Sequence, residues 1–168
     1  MHLAHLISIR MAILFDRDFG RVWSDGTSPC VFSSLVRVPE KIEIEELSEK
    51  KFRLIEELRR KFGYVYSILD LHLCPTIPRP IVEYYMTTIM PRQFKAGLEH
   101  QAIVEPEEKQ SCEIIQSALS QFPQHPISMH YSFESALEII TQMRSKRLSH
   151  GRKYQAKTLL HSWYSRLL

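Results

Sequence analysis

The 168-residue sequence predicts an α/β fold, in which a mixed sheet of about five strands carries an opening β-hairpin and packed helices. Three observations support this class. Residues 65–80 begin as a run that is apolar on both faces, which is typical of a central strand covered on both sides. Asp25-Gly26 separates two strand-like runs. Later strand-like runs alternate with segments of helical spacing, which gives the order β-β-α-β-α-β-α-β-α.

The first three elements follow from turn residues and apolar spacing. Strands are expected over residues 19–24 and 30–38, because Gly26 between them adopts a positive φ without steric cost. A helix is expected over residues 44–62, with Gly63 as its C-terminal stop. Apolar residues recur on one face of this helix, at Ile44, Leu47, Leu54, Ile55, Leu58 and Phe62.

The chain then enters a proline-rich segment that we call the elbow, defined as residues 70–79. Pro80 suits the first turn of a helix, because a missing N–H group costs nothing there. We expect this helix over residues 80–89, and we expect Pro91 to break or kink it. Ligands and partners of open α/β sheets usually meet the protein in such loops.

The remaining elements alternate regularly. A short helical turn ends at Gly97, and strands are expected over residues 98–105 and 127–131. Helices are expected over residues 107–122 and 133–144, and Ser132 is a favourable N-cap for the second of them.

The composition of the two ends of the chain sets the expected limits of the domain. Residues 1–10 differ in character from the rest of the chain, so they are either a mis-assigned start or a short extension, and the domain is expected over residues 11–148. Residues 149–168 form a basic tail or a docking helix. Seven of the 22 basic residues and no acid lie between positions 144 and 168, which leaves 15 basic against 19 acidic residues elsewhere. No apolar run approaches the ~20 residues of a membrane span.

The cysteines and the absence of catalytic motifs narrow the function. Cys30, Cys74 and Cys112 are far apart and show no CxxC spacing, which favours reduced thiols in a cytoplasmic compartment over a disulfide framework or a zinc site. The chain contains no GxGxxG, GxxxxGK[ST], GxSxG or HExxH motif. We therefore expect no cofactor, no metal ion and no enzymatic activity.

The element order and the segment Ile68-Leu69-Asp70-Leu71 resemble STAS-like domains, the fold of anti-sigma factor antagonists. In phospho-switched members of this family a serine follows at the N-terminus of the next helix. The corresponding positions here read Pro78-Arg79-Pro80-Ile81, without that serine. The segment Pro91-Arg92-Gln93-Phe94-Lys95 is also similar to one in uncharacterised bacterial members. The resemblance implies a regulatory domain of a bacterial branch that lacks the phospho-acceptor serine.

Six residues on or near the elbow are candidates for binding a partner. Asp70 ends the central strand, where it either accepts backbone N–H bonds from the following loop or contacts a partner directly. Thr76 is the hydroxyl left in the loop for phosphorylation. If the strand continued, His72, Cys74 and Thr76 would alternate onto one face. The complete partner-binding set is Asp70, His72, Thr76, Arg79, Arg92 and Lys95.

Three functions are compatible with these residues. The first is a non-enzymatic regulatory or protein-interaction module that presents the elbow and the following helix to a partner protein; homodimerisation stays open, and we expect neither nucleic acid nor a membrane as partner. The alternative is a small-molecule or lipid-binding domain, with an apolar pocket lined by Tyr85, Met86 and Ile89. The third, an enzyme, would require Asp70 and its neighbours His72 and Cys74 to converge.

Overall fold

The computed structural model describes residues 12–164, and the side chains of residues 15–149. The expectations for residues 1–10 and for the side chains of the last part of the basic tail lie outside these described residues. The elements in chain order are β1 (Ala12–Arg17), β2 (Gly20–Ser24), β3 (Cys30–Leu35), α1 (Lys41–Phe62), β4 (Val65–Asp70), α2 (Arg79–Tyr84), a π-helical segment (Tyr85–Ile89), α3 (Met90–Ala96), β5 (Leu98–Val104), α4 (Lys109–Ser120), β6 (Ile127–His130) and α5 (Phe133–Tyr164).

The strands form one mixed sheet in the order β1-β2-β3-β4-β5-β6. The first three strands are antiparallel, whereas β3, β4, β5 and β6 are parallel to one another. The predicted α/β class and the hairpin of β2 and β3 are confirmed. The expected number of about five strands is wrong, because the described residues form six.

The unpredicted strand is β1, which pairs with β2. The connection between them is Asp18-Phe19, which lacks the Asn-Gly or Asp-Gly pair that marks a two-residue hairpin turn. The pairing register also shifts between Ile13 and Phe15. Turn residues therefore gave no point at which to separate β1 from β2.

Helix α1 confirms the prediction from apolar spacing. Glu40 and Glu43 form a capping box at its start, and Gly63 follows its last residue with φ 81°, in the left-handed region. Ile55 and Leu58 are buried on the face that packs against the sheet, chiefly against β2, β3 and β4. A second apolar cluster lies beneath the elbow, α2 and α4, and it includes Leu69, Met86 and Ile103.

Of the two effects expected at Pro91, a break or a kink, the break does not occur. The chain stays helical from α2 through the π-helical segment into α3, and Pro91 lies in the first turn of α3. A proline ring inside a helix removes one N–H donor and crowds the carbonyl four residues earlier. The wider π turn directly before Pro91, in which the N–H of Met90 donates to the carbonyl of Tyr85, relieves this crowding.

The chain divides into two compact units, residues 1–136 and 137–168. The first unit contains the sheet, the helices up to α4 and the first turn of α5. There, the N–H of Ser135 donates to Ser132 Oγ at 3.2 Å, which confirms the predicted cap. The second unit is the rest of α5, so the helix continues well beyond the predicted residues 133–144. No helix in the described part of the chain is long and apolar enough to span a membrane.

Candidate functional site

The elbow has an inner and an outer face. Strand β4 ends at Asp70, and the N–H of Cys74 donates to the carbonyl of Leu71 at 2.9 Å, which turns the chain. Leu71, Cys74 and Ile77 are buried, whereas His72 and Thr76 are exposed. The expected alternation of His72, Cys74 and Thr76 on one face is therefore wrong, because the strand stops before it.

Asp70 and His72 are held at the start of the elbow. Asp70 Oδ1 accepts the backbone N–H of His72 at 2.9 Å, as one of the two predictions for this carboxylate required. His72 Nε2 lies 3.1 Å from Glu107 Oε1, on the solvent side. Cys74 is buried whereas His72 is exposed, and burial raises the pKa of the Cys74 thiol to about 11, which holds the thiol in its un-ionised form. The three groups do not converge in one cleft.

The outer face continues to the start of α2. Thr76 is exposed there, and Arg79 forms a loose ion pair with Glu83, at 3.9 Å between Nη1 and Oε1. Beneath them the backbone N–H of Ile77 donates to Ser111 Oγ at 2.7 Å in the interior. This hydrogen bond fastens the elbow to the first turn of α4.

The two remaining candidates lie on α3 and face another part of the surface. Arg92 Nη2 contacts Glu49 Oε1 of α1 at 2.5 Å, and its guanidinium lies 4.3 Å from the centre of the Phe52 ring. Arg92 therefore joins α3 to α1. Lys95 is exposed. Within the described residues no ion pair or hydrogen bond links Arg92 or Lys95 to the elbow.

A cavity lies behind the inner face of the elbow. Its volume is about 70 Å³, and carbon atoms form nearly all of its wall. Strands β3, β4 and β5 form its floor, and α1, α4 and the π-helical segment form its sides. Leu71, Cys74 and Ile77 of the elbow close it, and Tyr85 and Met86 line it. Ile89, the third residue expected at such a pocket, packs instead with Ile44 and Phe52.

A buried lysine belongs to the cavity wall. Lys51 of α1 is only 1% exposed, and its Nζ donates to Gln101 Oε1 of β5 at 3.0 Å. No carboxylate among the described residues forms an ion pair with it. Burial lowers the pKa of Lys51 to about 7, because an ammonium group is poorly solvated in an apolar interior, and a smaller electrostatic effect of Cys30 acts in the opposite direction.

Three more buried side chains each have one polar atom without a hydrogen-bond partner among the described residues. Their unpaired atoms are Ser48 Oγ, Ser67 Oγ and Gln93 Oε1. Ser48 lines the cavity one helical turn before Lys51. Gln93 Nε2 lies 3.2 Å from the hydroxyl of Tyr85, whose pKa burial raises to about 12. An unpaired buried polar atom costs about 1–3 kcal/mol, so Ser48 Oγ, which belongs to a residue lining the cavity, can gain from a bound molecule.

The sequence contains one signal for the buried pair Ser48 and Lys51, which the apolar positions alone do not reveal. The apolar stripe of α1 has a gap of two turns between Leu47 and Leu54. Ser48 and Lys51 fill that gap on the buried face. A lysine at such a position either disrupts the apolar face of the helix or is buried for a functional reason.

A separate polar cluster lies on the opposite side of the sheet, because adjacent residues of a strand face opposite ways. His100 Nε2 is 2.8 Å from Ser128 Oγ, which is 2.7 Å from His130 Nε2. Burial lowers the pKa of both imidazoles. The described residues contain no group of three or more His, Cys, Asp or Glu side chains arranged to hold a metal ion.

Comparisons with protein-family models, with curated proteins and with solved structures each give no match. The STAS-like resemblance therefore stays a prediction, and a proposal for the function rests on the geometry alone.

Proposed function

We propose that the first unit is a ligand-binding domain, which takes a small and mainly apolar molecule into the cavity behind the elbow. The observation that carries this proposal is a cavity lined by two buried polar residues, Lys51 and Ser48, of which Ser48 has a hydroxyl without a hydrogen-bond partner. A core optimised only for stability would fill such a space with apolar side chains.

The size of the cavity limits the ligand. A water molecule needs roughly 10–15 Å³ of such volume, so about 70 Å³ accommodates several waters or a molecule of a few heavy atoms. Water gains little against a wall of carbon atoms, whereas an apolar ligand gains dispersion contacts and loses its hydration. A longer ligand, such as a lipid chain, would require the elbow to move.

The elbow is the element that such a movement would involve. It has no regular secondary structure between Asp70 and Arg79, and its inner side chains, Leu71, Cys74 and Ile77, form the cover of the cavity. The hydrogen bond from Ile77 to Ser111 is its link to α4. Few bonds therefore need to break for a ligand to enter from this side.

The proposal is tested by titrating the protein with butan-1-ol while the methyl resonances are followed by NMR. We expect saturable shifts for Met86, Ile103 and Ile115, which line the cavity, and none for exposed Ile42. The variant Ser48→Leu fills the cavity and should abolish the shifts. The matched variant Ser117→Leu, at an exposed serine of α4, should retain them. Equal shifts in both variants would contradict the proposal.

A second candidate function is the predicted partner-binding role of the outer face. The observation in its favour is that Leu73 of the elbow is 69% exposed and that Val36, 44% exposed, lines the same groove together with Asp70. Exposed aliphatic side chains beside a polar rim favour a protein partner with an apolar side chain of its own.

This second candidate is tested by photo-crosslinking in cells. A photoreactive residue at position 73 should capture a protein that the same residue at position 42 does not, since Ile42 is equally exposed on α1. The additional change Arg79→Glu should weaken the capture. The same captured proteins at both positions would exclude the elbow as a specific surface, and capture of a second copy of this chain would indicate a homodimer.

A further inference from the structure

We propose that Lys51 is a covalent attachment site, which forms a reversible imine with an apolar aldehyde or ketone bound in the cavity. This inference rests on the proposed ligand-binding function and names its ligand class. It depends on three features of the described residues: the Lys51 amine forms no ion pair with a carboxylate, carbon atoms form nearly all of the cavity wall, and Ser48, one helical turn before Lys51, has an unpaired hydroxyl.

The surroundings of the Lys51 amine favour its neutral, nucleophilic form. An ammonium group has three donors, and among the described residues the oxygen acceptor that it bonds is Gln101 Oε1. A charged amine would leave two N–H groups unsatisfied in an apolar interior. Desolvation in a hydrophobic pocket is one of the ways in which proteins activate a lysine as a nucleophile.

The cavity wall favours an uncharged ligand over a carboxylate. An anionic ligand would have to lose its hydration and then pair with an ammonium group in a space lined by carbon atoms, and the desolvation of both ions opposes this. An aldehyde or ketone brings no charge, and neither does the imine that it forms. Its alkyl part gains the apolar contacts of Leu69, Met86 and Ile103.

The chemistry balances without an oxidant or a reductant. The nitrogen lone pair of Lys51 attacks the carbonyl carbon and forms the C–N bond, and one amine proton passes to the carbonyl oxygen, which gives a carbinolamine. The C–O bond then breaks, the second amine proton leaves with that oxygen as water, and the C=N bond forms. Hydrolysis reverses both steps.

Ser48 is placed to relay these protons. It precedes Lys51 by three residues, and side chains at this spacing are neighbours on one face of a helix. Its hydroxyl has no hydrogen-bond partner, so it is free to accept a proton from the nitrogen and to donate one to the oxygen. Gln101 keeps the hydrogen bond from its Nε2 to the carbonyl of Ala102 when Lys51 turns toward the ligand.

The test is reductive trapping with butanal and sodium cyanoborohydride at pH 7, followed by peptide mapping with mass spectrometry. We expect one butyl group per chain, attached to Lys51 at least about tenfold faster than to exposed Lys50, because an ordinary lysine is almost wholly protonated at this pH. The variant Lys51→Met should lose the rapid phase, and Lys50→Met should retain it. Ser48→Ala should slow it. Glyoxylate, a charged aldehyde, should not label Lys51 rapidly.

The outcomes separate this inference from the proposed function. If butan-1-ol shifts the cavity methyl resonances but butanal labels Lys51 no faster than Lys50, the cavity binds ligands and the imine is excluded. If neither compound acts at the cavity, the proposed function itself fails. Rapid labelling by glyoxylate in place of butanal would overturn the apolar ligand class.

Discussion

The Nζ atom of Lys51 lies 3.0 Å from Gln101 Oε1, and this hydrogen bond joins α1 to β5 between two side chains that are each at most 1% exposed. Two long polar residues at the centre of a helix–sheet contact oppose stability, because their burial is only partly offset by one bond. The pair therefore provides a direct measure of how much a buried polar contact lowers the stability of this domain.

The first prediction is that Lys51→Met stabilises the protein at neutral pH. The pKa of Lys51 falls from 10.5 in the unfolded chain to about 7 in the fold. Each pKa unit corresponds to about 1.4 kcal/mol of unfolding free energy, which the variant gains. The loss of the hydrogen bond to Gln101 subtracts about 1–3 kcal/mol, so the expected net gain is about 2–4 kcal/mol at pH 7. Urea unfolding measures it, with Lys50→Met as a control expected to lie within about 0.5 kcal/mol of the wild type.

The same variant also tests how the contribution of Lys51 to the free energy of unfolding changes with pH. Between pH 7 and 10.5 the unfolded lysine binds a proton that the folded one has released, so the contribution of Lys51 to stability rises with pH. The gap between Lys51→Met and the wild type should therefore narrow from pH 7 to pH 9. The raised pKa values of Cys74 and Tyr85 act in the opposite direction in alkali, but equally in both proteins. A gap independent of pH would show that Lys51 titrates normally.

The second prediction concerns the partner of this lysine. Gln101→Leu removes the one acceptor of Lys51 Nζ and should destabilise the protein by about 1–3 kcal/mol. The double variant Lys51→Met, Gln101→Leu should recover that loss, because both ends of the buried bond become apolar together. Denaturant unfolding of the four proteins gives the coupling energy. Additive effects of the two changes would mean that the hydrogen bond is not formed.

Local sequence rules were sufficient for most of the fold. Gly63 marked the end of α1, Asp25-Gly26 marked the hairpin, and Ser132 marked the start of α5, because each of these residues acts on its own backbone neighbours. The rules were wrong where the outcome depends on a wider context. No Asn-Gly or Asp-Gly pair separates β1 from β2, and the helix around Pro91 continues because a π turn accommodates the proline ring.

The candidate site was harder to predict, because it combines residues that are distant in the sequence. The elbow was located from its prolines, but which of its side chains face inward depends on the turn after Asp70. Lys51 and Gln101 are 50 positions apart and meet only when α1 lies across β5. Because lysine is almost always a surface residue, its position in the sequence does not indicate that it is buried against Gln101.

The third prediction is that Ser111 holds the elbow closed. Ser111→Ala removes the acceptor of the Ile77 N–H group, which lies in the interior, and should cost about 1–3 kcal/mol. Hydrogen exchange of the Ile77 amide should become faster, while the amides of β4 are unchanged. Ser117→Ala, at an exposed position of the same helix, should alter neither quantity. An unchanged exchange rate at Ile77 in Ser111→Ala would show that other contacts hold the elbow.

The fourth prediction concerns the cluster of His100, Ser128 and His130. Burial, together with the charge of His130, lowers the pKa of His100 below 6.5 in the fold. Below pH 6.5 the unfolded chain therefore takes up protons before the folded one does, and stability falls as the pH drops toward the folded pKa. His100→Gln keeps a side chain that can bond to Ser128 Oγ but cannot titrate, so its loss of stability from pH 7 to pH 5 should be smaller than that of the wild type. If the free energy of unfolding falls equally for wild type and His100→Gln from pH 7 to pH 5, His100 does not cause this fall. A group with the same pKa in the folded and unfolded states leaves stability independent of pH.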